Sequence, residues 1–324
     1  MYQTIALIRK NRQDFSFTMK SLYEVLNIKK QHQWEWEKRQ KHLTDNWLLL
    51  EAILKEERAK HPGMSLKKLY FKIQPNFIGR DKFIAYGMQN GYEPISYKKK
   101  PTTTFGSSVV QYSNLLFELK ITGTNQVWVS DTTYFKIGDK WYYITFIMDL
   151  YSRFIVGFHA AENLFAQANL KAFNMALQIR QQTQFNHQLI HHSDRGSQYR
   201  SLLYTDALKA AQINISMGKI VYENIHMERF NQTIKGEYLK HRNINSYKDL
   251  IYHLHKDVQL YNYERPHLAL KMKSPAEFES YICNLKLCQR TPFSVFAIDS
   301  DKGQNLKNMI NQNPNPNQLI LPFL

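Results

Sequence analysis

A chain of 324 residues that is 43% hydrophobic and 14% aromatic has material for packed cores and room for two or three domains, which excludes a disordered protein. Its 43 Lys+Arg against 27 Asp+Glu leave a net charge of +16, so the expected partner is a polyanion, nucleic acid first and an anionic membrane surface second. Two cysteines, Cys283 and Cys288, exclude a disulfide framework, and no Cys or His partners stand at zinc spacing near them.

The N-terminus, MYQTIALIRKNR, lacks the apolar core of a signal peptide. The longest strongly apolar run, Trp141 to Leu150, is far short of the roughly 20 residues a membrane span needs. These features predict a soluble, cytoplasmic protein. Residues 1–120 hold 21 Lys+Arg against 11 Asp+Glu, and residues 121–324 hold 22 against 16. The front of the chain is therefore the stronger candidate for phosphate contacts, each releasing roughly 0.9 counterions. Ordinary solubility charge is the alternative.

Residues 16–40 read as a short helix, SFTMKSLYEVL, a turn at Asn27-Ile28 and a basic-aromatic helix, KKQHQWEWEKRQK. A second amphipathic helix spans 46–60 (Trp47, Leu48, Leu50, Ile53, Leu54) and stops before His61-Pro62-Gly63. Then come MSLKKLYFKI, a breaker at Pro75, and IGRDKFIAYGMQNGY. Two short helices around a tight turn, the second opening with Arg80, Asp81 and Lys82, suit a helix-turn-helix, although plain bundles contain such pairs too. The expected organisation is a helical DNA-binding region over 1–95 and a basic, Pro-bounded linker over 96–120. A core follows over 121–282, and a polar, Asn/Pro-rich and largely disordered tail over 283–324.

From Gln126 the period changes. VWVSDTTYFKIG, KWYYITFIMDL and SRFIVGFHAA are β-rich runs, the first two split by Gly138-Asp139. A helix is predicted over Ala166–Arg180, then a strand into HHSDRG, a helix over Leu202–Ala211, a short strand INISM, a long helix from Glu223 to Leu239 and another from Ser246. Three sequential strands followed by alternating helices and strands describe an α/β fold with a mixed sheet.

An apolar strand that stops at a carboxylate followed by Gly, as at Asp194-Arg195-Gly196, places that side chain at a sheet's carboxyl edge, where α/β folds build sites. Cutting and joining phosphodiesters calls for hard oxygen ligands to Mg²⁺ or Mn²⁺. Asp131 on the first strand and Glu228 on the long helix are the acids available to join Asp194. On that helix Met227, Phe230, Ile234 and Tyr238 form an apolar stripe, and Glu228, Asn231, Gln232 and Lys235 share the adjoining polar face. Each residue also suits a plainer role: Asp131 bonding a turn, Asp194 paired with Arg195, Glu228 on a solvated face. Asp149 is a fourth acid better suited to a structural role, and His191-His192 to packing rather than to zinc. No Gly-rich phosphate loop is present.

The order WVSDTTY, MDLYSR, HHSDRGSQY, MERFNQTIKGEY and YNYERPHLALKMKSPAEFE resembles the bacterial insertion-sequence transposases with a retroviral-integrase-like DDE core, the downstream product of a two-frame element. The resemblance spans roughly residues 5–280. It implies a ribonuclease-H-like core preceded by an all-α helix-turn-helix region, and strand cleavage and transfer at element ends. By motif it implies Asp131, Asp194 and Glu228 as catalytic residues holding Mg²⁺ or Mn²⁺ as two ions. Lys235, Asn231, Arg195, Arg80 and Lys82 are the DNA-binding candidates. The implied partners are transposon-end and target DNA, further copies of the chain in a synaptic homo-oligomer, and an upstream-frame protein. The stretch before Glu228, SMGKIVYENIHME, is shorter than the family's usual pattern, which keeps a catalytically silent DNA-binding regulator as the alternative.

Overall fold

The computed structural model describes residues 1–95, 112–117, 119–218 and 225–295. They group into two compact units, one of Met1–Lys60 with Ile73–Glu93 and one of His61–Lys72 with the described residues from Pro94 onward. The N-terminal region is all-helical: α1 (Tyr2–Lys10), α2 (Met19–Val25), α3 (Lys30–Lys60), α4 (Leu66–Ile73) and α5 (Arg80–Gln89).

In the first unit, Thr18 Oγ1 caps α2 by accepting the Ser21 N–H at 3.1 Å, and Asn27 turns the chain with φ 51°. The two helices expected over 29–41 and 46–60 are one 31-residue helix, α3. Nothing between them breaks it, since Lys41 to Asn46 contains neither Gly nor Pro and Thr44 Oγ1 bonds back to the Gln40 carbonyl at 3.0 Å. Trp47 packs on Phe77 and Tyr86 at centroid distances of 5.3 and 4.4 Å, while Leu50, Leu54 and Phe83 are buried.

The first unit ends at Glu93, but segment 61–72, within the region expected to be one helical domain, groups with the second unit. Gly63 donates its N–H to the Glu237 carbonyl at 3.0 Å, and a Cβ there would lie 2.5 Å from Glu237 Cα, so only glycine passes. Lys68 reaches Glu237 at 3.0 Å, Lys72 reaches Glu264 at 2.6 Å, and Arg265 grips Glu237 through two 2.7 Å bonds. Buried His61 shares a 3.0 Å bond with the Tyr238 hydroxyl, and burial with Lys72 nearby pushes its pKa down to about 4. Helices α4 and α5, expected to pair as a helix-turn-helix, thus fall mostly into different units.

The second unit is built on a five-stranded sheet. After β1 (Lys120–Ile121) come β2 (Val127–Ile137), β3 (Lys140–Asp149), β4 (Ile155–Ala161), β5 (Ile190–Ser193) and β6 (Asn214–Met217), in spatial order β4-β3-β2-β5-β6. The first three form an antiparallel meander turning at Gly138 (φ 55°), and β5 and β6 run parallel to β2. Helices α6 (Ala166–Arg180), α7 (Ser197–Arg200) and α8 (Leu202–Ala210) cover one face with Trp128, Ile147, Val156, Phe173 and Tyr204. The other face packs Val127, Val129, Ile144 and Phe146 on α9 (Ile225–Thr233), α10 (Tyr247–Tyr263) and α11 (Pro275–Cys283). This is the expected α/β core with a mixed sheet, and α6 has the predicted bounds.

Local chemistry explains the joints. Ser274 and Glu277 form a full capping box with Pro275 in the first turn, which is why SPAEF starts α11. The long helix expected over 223–239 is α9 followed by a π-helical turn, Ile234–Tyr238. No pattern was expected after Tyr281, yet β7 (Phe293–Ser294) pairs antiparallel with β1, Ser294 to Lys120 and Phe293 to Ile121. Residues 96–111 of the expected linker, 219–224 before Glu228, and 296–324 of the expected tail lie outside the described residues. No described helix is long and apolar enough to cross a membrane.

Candidate active site

Strand register brings the first two acids together. β5 lies beside β2 with Val127 level with Ile190, Trp128 with His191 and Val129 with His192. That pairing ends at Val129 and His192; Asp131 lies two residues further along β2, and Asp194 directly follows the last residue of β5. Side chains alternate along a strand, so Asp131 shares the face of Val127 and Val129, toward α9.

Helix α9 supplies the rest. Its buried stripe is the predicted one, Met227, Phe230 and, in the π turn, Ile234 and Tyr238. Asn231 donates from Nδ2 to Asp131 Oδ2 at 2.7 Å, and Lys235 Nζ donates to Thr133 Oγ1 at 2.6 Å. Glu228, one turn before Asn231, is half-buried and accepts a 3.0 Å bond from Gln232 Nε2.

The electrostatics reflect how near these acids lie to one another. Burial, then the Asp194 carboxylate, push Asp131 up to about 7; Glu228 adds a smaller push, against the Thr132 N–H and the Lys235 ammonium. Asp194 is also raised, by desolvation at its root, although the residue is open to solvent and its Oδ1 accepts the Gly196 N–H at 2.9 Å. Oxygen ligands of like charge, crowded together with one lysine to offset them, suit a hard divalent cation.

The other predicted residues are placed differently. Asn231, expected on the DNA face, is 6% exposed and turned inward to Asp131. Arg195 is half-buried directly after Asp194. Arg80 and Lys82 are exposed on the first turn of α5 in the other unit, with Arg80 Nε 2.9 Å from Asp81.

Sequence reasoning missed the layer beneath the acids. The Tyr199 hydroxyl, carried by α7, shares bonds with Ser130 Oγ (2.9 Å) and Thr132 Oγ1 (3.3 Å). Thr132 Oγ1 in turn meets Thr145 Oγ1 (3.0 Å), which donates to Asn169 Oδ1 (2.8 Å). Burial and the charges of Asp131 and Asp194 raise the Tyr199 phenol well above its usual value, so it stays a neutral hydrogen-bonding strut. Its spacing after Asp194 was the one available signal. His191 and His192 pack as expected, bonded to the Tyr204 hydroxyl (2.9 Å) and Ser216 Oγ (2.8 Å), and burial drives His191 down to about 3. Asp149 is structural: fully buried, it accepts the N–H groups of Asn125, Tyr151 and Ser152 and lies 3.6 Å from Arg180.

Residues 122–221 and 210–275 match family models described as integrase core domain. A 31 kDa protein of insertion element IS600 of Shigella sonnei is 34% identical over 185 residues, 56% of this chain and 67% of that protein. The transposase for insertion sequence element IS904 of Lactococcus lactis is 31% identical over 189 residues, 57% of this chain and 73% of that protein. The chain belongs to the insertion-sequence transposases with an integrase core. Among solved structures, the HTLV-2 integrase catalytic core domain in complex with magnesium is 16% identical with a TM-score of 0.38, covering 48% of this chain and 95% of that one. The family assignment does not rest on so loose a likeness.

Proposed function

We propose that this transposase core cuts DNA strands at element ends and joins the freed 3′-hydroxyl to target DNA, with Asp131, Asp194 and Glu228 as its metal-holding acids. The observation that carries this is the nearness of Asp194 to Asp131, which burial and then the Asp194 carboxylate push up to about 7. Two Mg²⁺ or Mn²⁺ ions held by these acids would supply the charge that activates an attacking oxygen and neutralises the leaving one in an in-line displacement.

The chain's own groups prepare that set. The Thr132 N–H and the Asn231 amide take one direction each on Asp131 and fix the carboxylate plane. Gly196 does the same for Asp194, and Gln232 restrains Glu228. Lys235, beside Thr133, sets an ammonium next to the acids, where it pairs with a DNA phosphate. In the first step a water attacks the phosphodiester at the element end and releases a 3′-hydroxyl; in the second, that hydroxyl attacks a target phosphodiester, one P–O bond forming as another breaks. Arg80 and Lys82, exposed on α5, belong to a separate DNA-gripping region. A synaptic homo-oligomer and an upstream-frame partner come with the same family reading.

The test is cleavage and joining of labelled DNA carrying the element's terminal repeats, with Mn²⁺ or EDTA, for the wild type and Glu228→Gln. Metal-dependent products that vanish in the variant are expected. DNA that is retarded but intact in every lane would instead make the chain a silent DNA-binding regulator.

A further inference from the structure

Arg180, Arg242 and Arg265 are largely buried, and each has a carboxylate: Glu279 at 2.6 Å, Asp257 at 2.6 Å and Glu237 at 2.7 Å. Arg153 is handled differently. Its Nη1 is buried with no hydrogen-bond partner among the described residues, and its guanidinium lies over the Phe293 ring at 4.8 Å. The nearest acid in electrostatic reach, Asp149, is already taken up by three backbone N–H groups and Arg180. The backbone fixes where Arg153 points: φ is 64°, and its N–H is tied to the Asp149 carbonyl at 2.8 Å.

A second cation and a neutral ring lie there. His226, in the first turn of α9, packs on the same Phe293 ring at 5.5 Å and is held neutral by burial and the two arginines, and exposed Arg229 is close enough to depress Arg153 further. The start of the nine-residue helix α9 adds the positive end of its dipole. A buried guanidinium N–H without a partner is costly, and the charge of Arg229 beside it adds to that cost unless an anion completes the set.

We propose that Arg153, Arg229, His226 and the first turn of α9 form a subsite for a backbone phosphate of the DNA strand that enters the active site. It rests on the strand-cutting function above and adds a second phosphate contact to that of Lys235. The location is suitable. Trp128 pairs with Asp149, and Asp131 lies three residues further along β2, roughly 10 Å at 3.3 Å per residue. At about 3.4 Å of rise per nucleotide, that distance spans about three stacked nucleotides of one strand.

The experiment is fluorescence anisotropy of a labelled duplex against a NaCl series in EDTA, using the full chain as wild type, Arg153→Gln, Arg153→Lys, Arg229→Gln and Lys235→Ala, each with a melting temperature. Arg153→Gln and Arg229→Gln should each lower the slope of log affinity against log salt by about 0.9, and Arg153→Lys should retain it. An unchanged slope in Arg153→Gln with a lowered melting temperature would make the arginine a packing residue and overturn the subsite. Inorganic phosphate that raises the wild-type melting temperature while the duplex slope stays the same in Arg153→Gln would assign the site to a free anion and overturn the DNA contact. If Lys235→Ala changes the slope and Arg153→Gln does not, the subsite alone fails. A wild-type chain that binds no duplex would take the strand-cutting function down with it.

Discussion

Replacing Asp131 with Asn should stabilise the metal-free protein at alkaline pH while abolishing its chemistry. The folded-state pKa of Asp131 is raised from 3.8 to about 7. For an acid shifted upward, the stabilising contribution is complete below the unfolded pKa and is lost as pH rises through the folded one. The difference of about 3 units, at 1.36 kcal/mol each, is about 4 kcal/mol as a ceiling by pH 8. For a domain of this size each kcal/mol shifts the melting temperature by roughly 2–4 °C, so a gain on the order of 10 °C is the upper bound. The assay is thermal melting of wild type and Asp131→Asn in EDTA from pH 4 to 8.5. The gain should be absent near pH 4, grow through neutrality and level off above. With Mg²⁺ or Mn²⁺ present, the wild type should recover at pH 8 and the variant should not. A gain of equal size at every pH would refute the electrostatic account of the site, and with it the reason for assigning a cation there.

Other perturbations follow from the same geometry. Lys235→Ala should lower the salt slope of DNA binding by about 0.9. Gly157→Ala would set a Cβ 2.1 Å from the Ala172 carbonyl oxygen, forcing α6 off β4, and should cost at least about 1–3 kcal/mol in denaturant titration. Arg242→Met strands the fully buried Asp257 and should cost about 3–5 kcal/mol, most of it recovered in the double variant Arg242→Met with Asp257→Leu.

Much was legible in the residues because its physics is local. The β-branched and aromatic runs over Val127–Ile137 and Lys140–Asp149, with Gly138 between them, specify a hairpin without any distant partner. The stripe of Met227, Phe230, Ile234 and Tyr238 likewise named the buried side of α9. Asp194 could be placed at a sheet edge from its run-up and the Gly196 after it, and integrase-core motifs carried Asp131 and Glu228.

What tertiary structure decided was pairing over long separations, which no local period encodes. His61 meets Tyr238 177 residues away and Lys68 meets Glu237 169 residues away, so HPG and most of the following helix group with the core. The same holds for Asn231: helical spacing put it on a polar face, and only the docking of α9 against β2 turned that face inward onto Asp131. Asp149 and Asp131 look alike as strand acids. One is saturated by backbone N–H groups and an arginine, while the other is crowded by a second carboxylate, and that difference of surroundings separates a structural acid from the one proposed to hold a metal.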